Sequence, residues 1–232
     1  MAEQVVLPGD PPIELTLRPS ARARRLSLRV SSLDGRVTLT VPRGIGQRAA
    51  LAFARDKAEW IRGHLEARAV DVRPMPGEML PLHGTPHRIV AGSGRAVRLG
   101  AGVIHVPETG AEATPARLAA FLKLRARDAL VEASARHADA LGRPHGRITL
   151  RDTRSRWGSC SAQGNLMFSW RLVMAPPEVL DYVAAHEVAH LAEMNHSPAF
   201  WRVVERLTPD HQAPRRWLRR KGAELHRYRF RD

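Results

Sequence analysis

The sequence predicts an α+β fold, and three observations carry that prediction. Apolar residues alternate at period two in RLSLRV (25–30) and RVTLTV (36–41), which is the signature of half-buried strands. Apolar residues recur every three or four positions from Pro115 to Leu141, which is the signature of a helix. A second helical run, EVLDYVAAHEVAHL, opens behind Pro176 and Pro177. No period of 20–50 residues repeats, so the chain is not a solenoid.

In chain order, the two alternating segments are joined by SSLDGR, whose Asp-Gly pair is a turn signal, so they form a hairpin. Pro42 and Gly44 stop the second strand. From Gln47 to Arg68 the positions Ala50, Phe53, Ala54, Trp60, Ile61 and Leu65 make one amphipathic helix, interrupted only by Lys57. VRPMPGEMLPLHGTPH (72–87) is dense in Pro and Gly and reads as loop with a short edge strand. RAVRLGAGVIHVP (95–107) reads as another hairpin. Residues 1–20 receive no assignment.

Composition shifts at PETGAEATP (107–115), which sets a boundary. Residues 1–110 form a β-rich N-terminal subdomain with one helix, and 111–232 a second domain. The long helix of that domain carries Leu118, Phe121, Leu122, Leu130 and Ala138 near one stripe. RITLRD, RWGSCS and NLMFSW follow as short strands, the last two joined by the turn AQG.

Bulk properties narrow the function classes. A hydrophobic share of 44% with 26% charged residues is ordinary for a soluble globular chain. No stretch approaches the ~20 apolar residues of a membrane span. The start, MAEQVVLPGDPP, lacks the basic and apolar regions of a secretory signal. Cys160 is the single cysteine, which forbids an internal disulfide. The expected setting is cytoplasmic. A net charge of +14 invites a nucleic-acid partner. The cations, however, are nearly all arginine, lie scattered, and cluster only at RARR (22–25) and RRWLRRK (215–221). Weak attraction to anionic partners is the better expectation than a dedicated nucleic-acid binder.

The chemistry gathers in HEVAHLAEMNHSPAFW (186–201). His186 and His190 are four apart on a helix, so their rings share a face, and Glu187 follows the first. This is H-E-x-x-H, in which two imidazoles hold Zn²⁺ and the glutamate takes a proton from water. The flanks make the helix buried, and buried polar groups are costly unless paired or liganded. On an unbroken helix His196 would lie ~15 Å from His186, so the helix has to end between them. Asn195 tolerates the left-handed conformation of a helix end, and Ser197-Pro198 reads as N-cap and first position of a new helix. The turn brings His196 back as third ligand; Glu205, on the next helix, is the alternative.

The spacing also matches the metzincin pattern, but Glu193 stands at its glycine and no methionine follows Met194. Core histidines bonded to backbone, with His196 at the surface, are the bland alternative. Elsewhere, Cys160 reads as a small buried thiol rather than a nucleophile. Arg156 and Trp157 are candidates for the cleft border, Tyr182 for a core residue within reach of the site, and His211 for an oxyanion donor. Gly84 and Pro86 forbid the helix that would pair His83 with His87.

RWGSC (156–160), DYVAAHEVAH (181–190) and NHSPAFW (195–201), in this order, resemble the YgjP-like metallopeptidase family, distant relatives of the SprT-type zincins. The resemblance implies a zincin-like catalytic domain, with the H-E-x-x-H helix beside a small mixed sheet. It also implies His186, His190 and His196 as ligands of Zn²⁺, Glu187 as catalytic acid/base, and a peptide or protein substrate. Two rivals remain open. One is a zinc-dependent hydrolase of phosphoanhydrides such as nucleotides, with arginines as a phosphate clamp. The other is a DNA-associated protein with structural zinc, against which stands the count of three ligands where a closed site needs four.

Overall fold

The computed structural model describes residues 3–31, 34–66 and 70–231. The fold is mixed α+β, in two compact units that meet at Val70 and Asp71.

The first unit is a four-stranded sheet with two helices. Its strands are β1 (Glu3–Leu7), β2 (Ile13–Ser20), β3 (Ser27–Val30) and β4 (Val37–Pro42), in the order β1-β2-β4-β3. The β3–β4 pair is antiparallel, as the alternation predicts, with Val30 opposite Val37. Residues 32 and 33 of its turn lie outside the described residues. Strands β1 and β2, in the unassigned N-terminal segment, pair antiparallel, and β2 runs parallel to β4. Ile13, Leu15 and Leu17 are buried, so the period-two signal was present in IELTL. The single helix expected over 47–68 is two, α1 (Gln47–Asp56) and α2 (Ala58–Glu66). Lys57 ends the first with φ −101° and ψ 8°, outside helical geometry. The break leaves Ala50, Ala54 and Ile61 on the core with the sheet's apolar side chains. Residues 67 and 68 lie outside the described residues.

The second unit begins well before residue 110. Strands β5 (Met79–Leu82), β6 (Thr85–Gly92), β7 (Arg98–Leu99) and β8 (Val103–Pro107) form a sheet in the order β5-β6-β8-β7. Leu80, Leu82, Ile89, Ile104 and Val106 share one core with the long helix α3 (Thr114–Leu141), so a boundary at 110 would cut through it. β5 is the edge strand expected of 72–87, and β7–β8 is the expected hairpin. The expectation of loop across the rest of 72–87 fails at β6, an interior strand that begins at Thr85. The connecting residues His83 (φ 51°) and Gly84 (φ 77°) are both left-handed, the geometry of a tight two-residue hairpin turn. Their N–H groups donate to Val173 and Met174 carbonyls at 2.8 and 3.1 Å, and a side chain at Gly84 would strike Pro176. His83 and His87 share no helix face.

Helix α3 buries Leu118, Leu122, Ala126, Leu130 and Ala133 along one stripe. Strands β9 (Ile148–Arg151), β10 (Gly158–Cys160) and β11 (Leu166–Ser169) form a small mixed sheet in the order β10-β11-β9. β10 pairs antiparallel and β9 parallel with β11. The 3₁₀ turn Trp170–Met174 leads into α4 (Pro177–Ala189), followed by α5 (Pro198–Leu207) and α6 (Gln212–Lys221). Helix α4 packs on α3, α5, α6 and β10. Nine of its thirteen residues are buried, Glu187 among them, so the polar groups it carries inward have to be satisfied within the protein. Arg171, 6% exposed, donates bidentately to Asp152 at 2.6 and 3.2 Å and to the carbonyls of Leu225 and Tyr228. This neutralised buried charge ties the C-terminal segment to the loop after β9.

Candidate metal centre

Helix α4 presents His186 and His190 one turn apart, with ring centroids 5.2 Å from each other. The helix ends at Ala189, and the chain turns through 190–197 into α5. The break needed between His186 and His196 is therefore present, but Asn195 is not left-handed: among the described residues only His83 has a positive φ outside glycine. Asn195 acts through its side chain instead, Oδ1 accepting from the Ser197 N–H at 3.2 Å. Ser197 is the N-cap of α5, its Oγ accepting from the Phe200 N–H, with Pro198 first in the helix.

The turn carries His196 to the other two histidines. One nitrogen from each of the three rings lies within 4.8 Å of the others, and the Nε2 atoms of His186 and His196 are 3.1 Å apart. A tetrahedral centre with ~2.05 Å bonds spaces its ligand nitrogens ~3.3 Å apart, so this set fits a metal ion. His190 Nδ1 lies 3.0 Å from the Glu193 carbonyl; donation there fixes the tautomer that leaves Nε2 with a lone pair. Burial, then His190 and His196, hold the His186 imidazole uncharged, pushing its pKa down to about 3. Burial also lowers that of His190. Neutral imidazoles are what a metal requires. Glu205, the alternative third ligand, is exposed on α5 and stands outside this group.

Glu187 is 5% exposed, and burial pushes its carboxyl up to about 8 against the opposing pull of Arg156. Beside it runs β10, whose Gly158 leaves no room for a side chain between strand and carboxylate. Arg156, Ser155 and Cys160 line the same open cleft as the three histidines and Glu187. Burial raises the Cys160 thiol, followed by the charge of Glu187, which suits an unreactive thiol.

The other sequence candidates are less close to the chemistry. Tyr182 is buried and meets the His186 ring edge-on at 5.9 Å. Trp157 packs on His226 and Gly222. His211 is buried behind Trp201, stacked at 5.9 Å, while Trp201 touches the rings of His186 and His196.

Two residues of the site went unread in the sequence. Phe200 is fully buried, stacks on His190 at 4.5 Å, and meets His186 and His196 at 4.9 and 4.8 Å. It is the apolar backing of all three imidazoles, and its place one turn into the helix after His196 was the available signal. Gly158 gave none, because its constraint is a contact with a helix 29 positions away in sequence.

Three convergent imidazoles and a buried carboxylate on an α+β frame are the features of a metal-dependent enzyme. Residues 24–221 match the family model YgjP-like, metallopeptidase domain. The chain therefore belongs to the YgjP-like metallopeptidase family, whose name implies a metal ion at the active centre. No curated protein matches it. Among solved structures it is similar to the metallopeptidase zymogen of Pyrococcus abyssi abylysin, at 22% identity and a TM-score of 0.36. That likeness covers 40% of this chain and 95% of the other. No described helix is long and apolar enough to cross a membrane.

Proposed function

We propose that the protein is a zinc-dependent peptidase of zincin type, in which His186, His190 and His196 hold Zn²⁺ and Glu187 is the general base. One observation carries this: one nitrogen from each of three imidazoles converges within 4.8 Å beside the buried Glu187 of α4. The donor set of three nitrogens suits zinc and leaves one coordination position open.

When bound, the ion would supply Lewis acidity that polarises the scissile carbonyl and acidifies the attacking water. Glu187 accepts the proton of that water and returns it to the leaving amine. Its burial favours the protonated form, so a nearby cation is what poises it to act as a base near neutrality. Gly158 fixes the carboxylate laterally, and Phe200 holds the imidazoles in place. β10 is an edge strand bordering the cleft, and an extended peptide adds to such an edge by main-chain hydrogen bonds. We place the protein in the cytoplasm, on its single free cysteine.

Hydrolysis of phosphoanhydrides is the second reading, favoured by Arg156 at the same cleft, where a guanidinium would clamp a phosphate. One experiment addresses both: Glu187→Gln is assayed beside wild type on a peptide library and on nucleoside triphosphates. Cleavage of peptides by wild type, reduced 10²–10⁴-fold in the variant, is the expected result. Nucleotide turnover without peptide turnover transfers the chemistry to the second reading.

A further inference from the structure

The loop between β9 and β10 borders two separate cavities. Ser155 and Arg156 line the histidine cleft, whereas Asp152 and Arg154 line a larger concavity of about 540 Å³. Arg73, Lys123, Arg154, Arg171, Arg229 and Arg231 bring six basic side chains to its wall, and Asp152 is the one acidic lining residue. A general arginine excess does not account for this. Six of its ten lining residues are basic, against 37 of 232 in the whole chain. They also arrive from five separate segments of the second unit.

Pairing with carboxylates orients Arg171 and Arg229 but reduces the net charge they add to the wall. Arg171 is anchored by Asp152 and two carbonyls, and Arg229 donates to Asp71 at 2.8 and 3.0 Å. The faces of Trp170 and Phe230 carry the Arg171 guanidinium at 4.8 and 5.4 Å, and the Lys123 ammonium lies 5.9 Å from the Trp170 ring. Both rings are buried, at 2% and 6% exposure, so they serve as a platform for cations rather than a stacking surface for a ligand. Recognition here is by charge. A concave cationic wall focuses the field on its centre, and guanidinium forks match the oxygens of phosphate. The volume lies within the range of small-ligand sites.

We propose that this cavity binds a small, multiply charged phosphate-bearing anion, at a site separate from the histidine centre. The inference does not depend on the zinc reading. It is tested by calorimetric titration of inorganic triphosphate into wild type and into Lys123→Ala/Arg231→Ala, with metal content and thermal unfolding followed in both. Any chelation at the histidines is common to the two proteins and cancels in the comparison. Saturable binding in wild type, weakened at least tenfold in the double variant with metal and folding unchanged, is the expected result. If the double variant is unstable, Arg154→Ala at the exposed loop gives the same reading. Absence of saturable binding, or equal affinity in both proteins, overturns the site. Binding of a single-stranded oligonucleotide without any response to triphosphate overturns it too, and makes the surface a nucleic-acid contact.

Discussion

Gly158 and Glu187 approach so closely that a methyl group on Gly158 would lie 2.5 Å from both Cγ and Oε1 of the glutamate and 2.7 Å from its Cδ. The glycine's φ is not left-handed, so the constraint is space and not backbone conformation. Strand β10 can lie against α4 at this point because residue 158 has no side chain. The carboxylate is walled on that side by main chain, which cannot swing aside as a side chain can.

Gly158→Ala is therefore expected to displace the Glu187 carboxylate while leaving the imidazoles, on other faces, in place. Turnover should fall at least tenfold, approaching the 10²–10⁴-fold of a missing general base, with metal content equal to wild type. Peptidase kinetics paired with elemental analysis check this. Wild-type turnover in the alanine variant would show that the glutamate does not need this wall.

The turn between α4 and α5 is expected to control metal affinity. Ser197→Ala removes the N-cap acceptor and should cost about 1 kcal/mol of stability. Replacing Asn195, Ser197 and Pro198 together with alanine removes the side-chain turn bond, the cap and the proline start, and should carry His196 away from its partners. Zinc affinity measured by competition with a chelating dye should then drop by at least an order of magnitude. Unchanged affinity would move the third-ligand role to another residue.

The site was more legible in the sequence than the frame around it, and for a physical reason. His186, Glu187 and His190 sit within one helical turn, where spacing alone dictates geometry. The break before His196 was announced by Ser197-Pro198, although Asn195 contributes a hydrogen bond and not the left-handed backbone its type allows. Local hairpins such as β3–β4 and β7–β8 were readable for the same reason. The parallel pairing of β2 with β4 and the contact of Gly158 with Glu187 join segments far apart in sequence, and no local pattern encodes them. Lys57 was visible as a polar interruption, but its effect on the helix depended on how the flanking turns pack.

A pH dependence follows from His226, which is 4% exposed, with its ring against Trp157. Burial, and then Arg171, push its pKa down to about 4 from an ordinary 6.5. The folded state thus keeps it neutral where the unfolded chain takes a proton. Stability is unaffected above pH ~6.5, falls as pH drops from there toward 4, and loses up to ~3 kcal/mol from this group. Urea unfolding of wild type and His226→Gln across pH 4–7 should show a shallower acid slope in the variant. Parallel slopes would assign the acid sensitivity elsewhere.

The most direct test of the central claim is the metal content of protein purified without chelators. One zinc per chain is expected in wild type and in Glu187→Gln, and none in His190→Ala, because ligation needs the imidazoles and not the base. Wild-type protein that contains no transition metal and takes up none when zinc is supplied would contradict the account.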